Sequence, residues 1–202
     1  MTLSGETLIT PVPWIEAFAA HRGYRYEPDA EEGWLRAWEP FRTLRVALRY
    51  EHALHGTGEA ISITLARMIV SVPTIVDPAQ HVEYATWIGI AQDARFTVAA
   101  AMSSDRQSVF REDPQLMSLP IARTGDPSFD AIFSVFAAAG ADASRAISPS
   151  LRRLLLSFQT PLHADIRAGG YIFAPVALGF DPASLAWLDQ AMFSFADKGT
   201  KY

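Results

Sequence analysis

Leu162-His163-Ala164-Asp165-Ile166-Arg167-Ala168-Gly169-Gly170-Tyr171-Ile172-Phe173-Ala174-Pro175-Val176 is the stretch that decides the fold. Two segments able to alternate across a sheet, 162–167 and 171–176, flank Ala168-Gly169-Gly170. Glycine takes positive φ without a Cβ penalty, so the triplet predicts a tight reversal between antiparallel strands. Downstream, Asp181-Pro182 places a capping carboxylate before a proline fit for a first helical turn, and Leu185, Leu188, Met192 and Phe195 recur at helical spacing. Upstream, Ser148-Pro149 repeats that signal ahead of Leu151, Leu154, Leu155 and Phe158. With an apolar, β-compatible segment at Phe129–Ala137 and a helical turn at Ala141–Ala146, the C-terminal half reads β-α-β-β-α.

The first half is punctuated less sharply. Trp14, Ile15, Phe18 and His21 mark a helix from Pro13, with Gly23 as its stop. Leu44, Val46, Leu48 and Tyr50 alternate with Arg45, Ala47 and Arg49, which predicts a strand over Thr43–Tyr50. Glu51–Glu59, with its His-Gly and Thr-Gly pairs, reads as the loop to a second strand at Ile61–Pro73. Asp77-Pro78 predicts a helix from about 78 to 92, followed by a strand at Arg95–Met102. Trp34 and Trp38 fit either a helix or a strand. The polar stretch 103–120 separates an N-terminal half, 1–118, from a C-terminal half, 119–202, as two units or one continuous domain. The expectation is an α+β protein, with antiparallel sheet packed against a few amphipathic helices.

A further pattern lies in the second half. Gly125-Asp126-Pro127-Ser128-Phe129-Asp130 with Phe133 and Val135, then Ser148-Pro149-Ser150-Leu151-Arg152 with Leu155-Leu156, and finally Phe180-Asp181-Pro182 with Leu185 follow one another around the glycine hairpin. Over roughly residues 118 to 197 this resembles a group of bacterial proteins, common in actinobacteria and myxobacteria, that carry a domain of unknown function. Members often bear N-terminal membrane helices, a feature without counterpart in residues 1–13 here. The resemblance implies a fold and a bacterial origin, and no catalytic residue or ligand. The residues themselves read structurally: Asp126 and Asp130 as turn braces, Phe129, Phe133 and Val135 as core.

Composition narrows the function classes. The chain has no cysteine, which excludes disulfides, thiolate metal sites and cysteine nucleophiles. A net charge of −5 with scattered arginines argues against nucleic-acid binding, which needs clustered cations. Arg42, Arg45 and Arg49, and the pair Arg152 and Arg153, read as solvated faces. Residues 1–13 show no basic, then apolar, leader pattern, and no run approaches the ~18 apolar residues of a membrane span. A cytoplasmic location is expected.

Few residues invite chemistry. Glu51-His52-Ala53-Leu54-His55 carries two histidines three apart, but in neither order of the zinc-protease helices, and the loop reading makes them a solvated pair. Glu59, His81 or Asp165 could complete a metal set, yet no spacing selects one, and no cofactor or metal is expected. His163 and Asp165, two apart on a strand, point the same way, and an imidazole beside a carboxylate can move protons. Surface pairing is the plainer reading. Ser157 and Ser194 lack the glycine elbow of a serine nucleophile, Glu31-Glu32 and Glu112-Asp113 diverge as neighbours, and no phosphate-binding glycine loop occurs. Trp34, Trp38, Phe41 and Tyr50 form a candidate interface, because aromatics anchor buried contacts, with core packing the plainer reading of such large side chains. The sequence therefore favours a non-enzymatic interaction or scaffold subunit with a protein partner or self-association. The alternative is a small-molecule-binding protein or hydrolase built on a histidine and a carboxylate.

Overall fold

The computed structural model describes residues 9–30, 35, 44–74, 76–77, 79–105, 120–137, 143–176 and 178–200. The protein is α+β. Its strands are β1 (Arg25–Asp29), β2 (Arg49–Thr57), β3 (Ser62–Pro73), β4 (His81–Gln92), β5 (Ala100–Ser103), β6 (Ile121–Ala122), β7 (Ser134–Ala137), β8 (Leu162–Arg167) and β9 (Gly170–Pro175). They form one sheet of order β1-β2-β3-β4-β9-β8-β5-β7-β6, antiparallel at each described pair. The helices are α1 (Pro13–Arg22), α2 (Pro127–Ile132), α3 (Ala143–Ala146), α4 (Pro149–Ser157) and α5 (Pro182–Gly199). Pairing of Gly89 with Phe173 joins strands from either side of the 103–120 stretch into that sheet.

Local chemistry works as expected at the caps. Ser148 accepts from the Leu151 amide, Asp181 from the Ser184 amide, and Gly23 ends α1 at φ 70°. Gly169 turns the β8–β9 hairpin at φ 88°. Asp126 Oδ1 accepts from the Ser128 and Phe129 amides, and Asp130 Oδ1 from the Thr124 amide and hydroxyl, so both aspartates are turn braces.

The two sheet faces bury separate cores. On one, Ile15 and Ala19 of α1, Leu151 and Leu155 of α4, and the α5 stripe Leu185, Leu188, Met192 and Phe195 pack on Leu54, Leu65, Trp87, Tyr171 and Phe173. Each of those large side chains contributes about 1.5–3 kcal/mol by leaving water. On the other, Ala30, Leu35, Leu44 and Ala47 cover Tyr50, Ala53, Met68, Val70, Ile88, Ile90, Ile172 and Ala174. Among the described residues no helix is long and apolar enough to cross a membrane.

Several expectations are corrected. Residues 44–48 are not a strand: Leu44 and Ala47 are buried while Val46 and Leu48 are exposed, a spacing of three rather than two. The segment read as a loop, Glu51–Glu59, is mostly β2, which pairs with both β1 and β3. The proposed helix over 78–92 is β4. Asp77 does brace a turn, its Oδ1 accepting from the Ala79 amide, but the turn belongs to the β3–β4 hairpin. The strand placed at Arg95–Met102 shortens to β5, and Phe129–Ala137 divides into the end of α2 and β7. Arg152 is not solvated: it is buried, and its Nη1 donates to the Thr124 and Ile147 carbonyls. Trp34, Trp38 and Phe41 lie outside the described residues, as do both carboxylate pairs.

Candidate functional site

The histidines of β2 are separated by a bulge. Register slips between Glu51 and Leu54, and His52 sits at φ 54°, the one non-glycine with positive φ among the described residues. Such a conformation costs a side-chain-bearing residue energy and is held by its surroundings. Here the surroundings are aromatic. The Tyr26 hydroxyl lies 2.8 Å from His52 Nδ1, and the Phe180 ring centre lies 5.4 Å from that of His52. Phe180 also stacks on Trp87 at 5.9 Å and meets Trp14 edge-on at 5.3 Å, while the Arg67 guanidinium sits 4.1 Å over its ring. Burial pushes the His52 pKa down, with Arg67 in support and Glu51 in opposition, so the ring is held neutral.

His55 lies on the opposite face. It is paired with Thr64, whose next neighbour Ile90 belongs to the second core, whereas adjacent Leu54 belongs to the helix-side core. Its Nδ1 is 2.8 Å from Thr64 Oγ1 and its Nε2 3.1 Å from Glu27 Oε2. The expected solvated pair is thus one buried and one half-buried ring, divided by the sheet. Two rings on opposite faces cannot share an ion, and among the described residues no three His, Asp or Glu side chains gather as a metal set.

His163 and Asp165 share a face of β8, as their spacing predicts, but that face is interior rather than surface. They also answer to different partners. Asp165 Oδ2 accepts from Arg167 Nη2 at 3.0 Å. His163 lies opposite Ser103 across the β5–β8 pair, with its Nδ1 2.9 Å from Ser103 Oγ and its Nε2 3.4 Å from Asp105 Oδ2. Ser103 and Asp105 went unsuspected in the sequence, because nothing local to 103–105 marks them. Both border a pocket of about 320 Å³, walled by Ile121, Arg123, Asp130, Ile132 and Ser134 among others.

Tyr50, counted with the candidate interface, is buried in the second core. Exposed apolar side chains lie elsewhere, on the β3–β4 hairpin. β2 accompanies β3 as far as Ile69, and β9 accompanies β4 along Gly89–Gln92. Farther out the ladder continues with Val70 on Tyr84, Ser71 on Glu83, Val72 on Val82 and Pro73 on His81. Val82 and Tyr84 are exposed there, and Val76 in the connecting turn is 96% exposed. A nearly bare valine at a hairpin tip gains nothing for the fold of one chain.

The chain matches no family model and no curated protein sequence. Among solved structures it is similar to the crystal structure of the mycobacterial trehalose monomycolate transport factor A, TtfA, at 10% identity, with a TM-score of 0.60 and 92% of each chain covered. At that identity the likeness is one of fold, and it extends over nearly the whole chain.

Proposed function

We propose that this chain is an interaction subunit of a bacterial, cytoplasmic assembly, docking on a protein partner or a second copy through the β3–β4 hairpin. The observation that carries the reading is the exposure of Val76, Val82 and Tyr84 on a hairpin whose strands have outrun both flanking strands. An extended ladder offers a partner main-chain donors and acceptors along its edges, and apolar side chains for anchoring. Two further lines support it. The chain shares its fold with a protein named as a transport factor, and its second half resembles a bacterial group.

The test is site-specific photo-crosslinking in the native cells, with the crosslinker at position 76 or 84 and a control at position 153 on α4. A discrete adduct from the hairpin positions, absent from the control and lost when Val76→Asp and Tyr84→Lys are combined, is the expected result. Labelling as diffuse as the control overturns the docking role.

A further inference from the structure

We infer that the pocket beneath β5 and β7 is a serine-nucleophile site for short acyl esters, in which Ser103 attacks, His163 is the base and Asp105 positions the imidazole. The inference is independent of the hairpin. It rests on four chemical groups that β5, β7 and β8 bring together from distant parts of the chain. Ser103 pairs with His163 on one side and with Ser134 on the other, so all three side chains emerge on one sheet face.

The order of contacts gives each group a role. Asp105 Oδ2 stands 3.4 Å from Nε2, within ion-pair reach though without a hydrogen bond between the two atoms, and its charge favours the tautomer with the proton there. Nδ1 then presents its lone pair to the Ser103 hydroxyl, 2.9 Å away. This is the relation a serine needs to become a nucleophile, with the two ring nitrogens in exchanged roles relative to the usual triad. Ser103 borders the pocket with its side chain almost wholly buried.

The walls describe the substrate class. Ile121 and Ile132, 67% and 50% exposed, and the buried Phe133 give the wall its apolar part. Arg123 and Asp130 add opposite charges at the wall, and the Ser134 hydroxyl a donor for a developing oxyanion. A volume of about 320 Å³ suits a small acyl group and not a lipid tail.

The step balances without a cofactor. Ser103 Oγ forms a bond to the ester carbonyl carbon as its proton passes to His163 Nδ1. The carbon–alkoxide bond breaks, and the alkoxide leaves with that proton. Water then adds to the acyl-serine through the same base, and the carboxylic acid departs with Ser103 restored. Asp105 faces the transient imidazolium throughout.

The experiment is reaction of the full-length protein with a fluorophosphonate, read by intact mass and peptide mapping. One adduct per chain, on Ser103, is expected, and Ser103→Ala with an unchanged circular-dichroism spectrum gives none. Mapping on the unaltered protein needs no variant, so a folding defect cannot hide the answer. Asp105→Asn keeps the shape of the side chain; it is expected to slow labelling about 100-fold and to lower the pH midpoint of the labelling rate. No adduct on the folded protein, or an adduct on another residue, overturns the site. An Asp105→Asn protein with wild-type rate and midpoint overturns the positioning role.

Discussion

The Tyr26 hydroxyl and His52 Nδ1, 2.8 Å apart, tie edge strand β1 to the bulge of β2. The ring is held neutral, because burial disfavours the imidazolium and Arg67 adds repulsion against the opposing pull of Glu51. A histidine whose folded pKa is depressed binds its proton more readily when the chain is unfolded. Its contribution is therefore complete above the ordinary value of about 6.5 and is lost as pH falls from there toward the folded value. His52→Asn, which tolerates positive φ, is expected to be less stable than wild type at about pH 8, by lost ring packing. The gap should narrow by about pH 5, since the variant has no imidazole to charge. Urea unfolding at the two pH values measures it, and a gap that stays constant refutes the assignment.

At the other end of the pH scale, Tyr24 donates to Asp189 Oδ1 at 2.6 Å, and Arg22 pairs with the same carboxylate. Burial, then the hydrogen bond and charge of Asp189, push the Tyr24 pKa well up, against the pull of Arg22. Burial also raises Tyr171 well above its usual range. A phenol held protonated in the fold stabilises fully below its unfolded value of about 10 and less as pH climbs past it. Tyr24→Phe should cost about 1–3 kcal/mol at neutral pH and show a shallower alkaline loss than wild type. Thermal unfolding between about pH 8 and about pH 11 separates the two effects.

What was legible in the sequence was local chemistry. Ser148-Pro149, Asp181-Pro182 and Gly169-Gly170 name their caps and turn because the groups they satisfy lie within a few residues. β4 reads as a helix in the sequence for two reasons. Asp77-Pro78 signals a helix start and a hairpin turn equally well, and residues 86–91 are buried on both faces, which erases the period of two. The bulge at His52 hid β2 in the same way, by shifting the parity that alternation relies on. His163 was legible as a residue of interest, but its partners were not. Ser103 lies 60 positions away, and only the β5–β8 register reveals that the two face each other.

Gly89 is the sheet position on which α5 rests. A Cβ there would overlap Sδ, Cγ and Cε of Met192, itself fully buried. Methionine is adaptable, but more than its tip is in the way. Gly89→Ala should destabilise by about 1–3 kcal/mol, and Met192→Ala by about 2–5 kcal/mol. The double variant should be more stable than the sum of the two losses allows, since the new methyl enters the space the side chain vacates. Additive losses in a denaturant double-mutant cycle would show that the contact does not govern the packing of α5 on β4.

The β3–β4 hairpin should behave oppositely. Val76, Val82 and Tyr84 are exposed, and at their level β3 and β4 have left the strands that flank them. Substitutions there touch little of the core, so Val76→Asp and Tyr84→Lys should each change unfolding free energy by no more than about 0.5 kcal/mol. Backbone protection should tell the same story, because stability falls where buried contacts are few. Amide exchange in the isolated chain is expected to be faster at Ser71–Val72 and Val82–Glu83 than at Leu65–Ala66 and Ile88–Ile90 of the same two strands. Binding of a partner on the hairpin would slow exchange at the outer positions and leave the inner ones unchanged. Uniform protection along both strands of the isolated chain would mean that the hairpin is held by the fold itself, and the docking role would lose its structural basis.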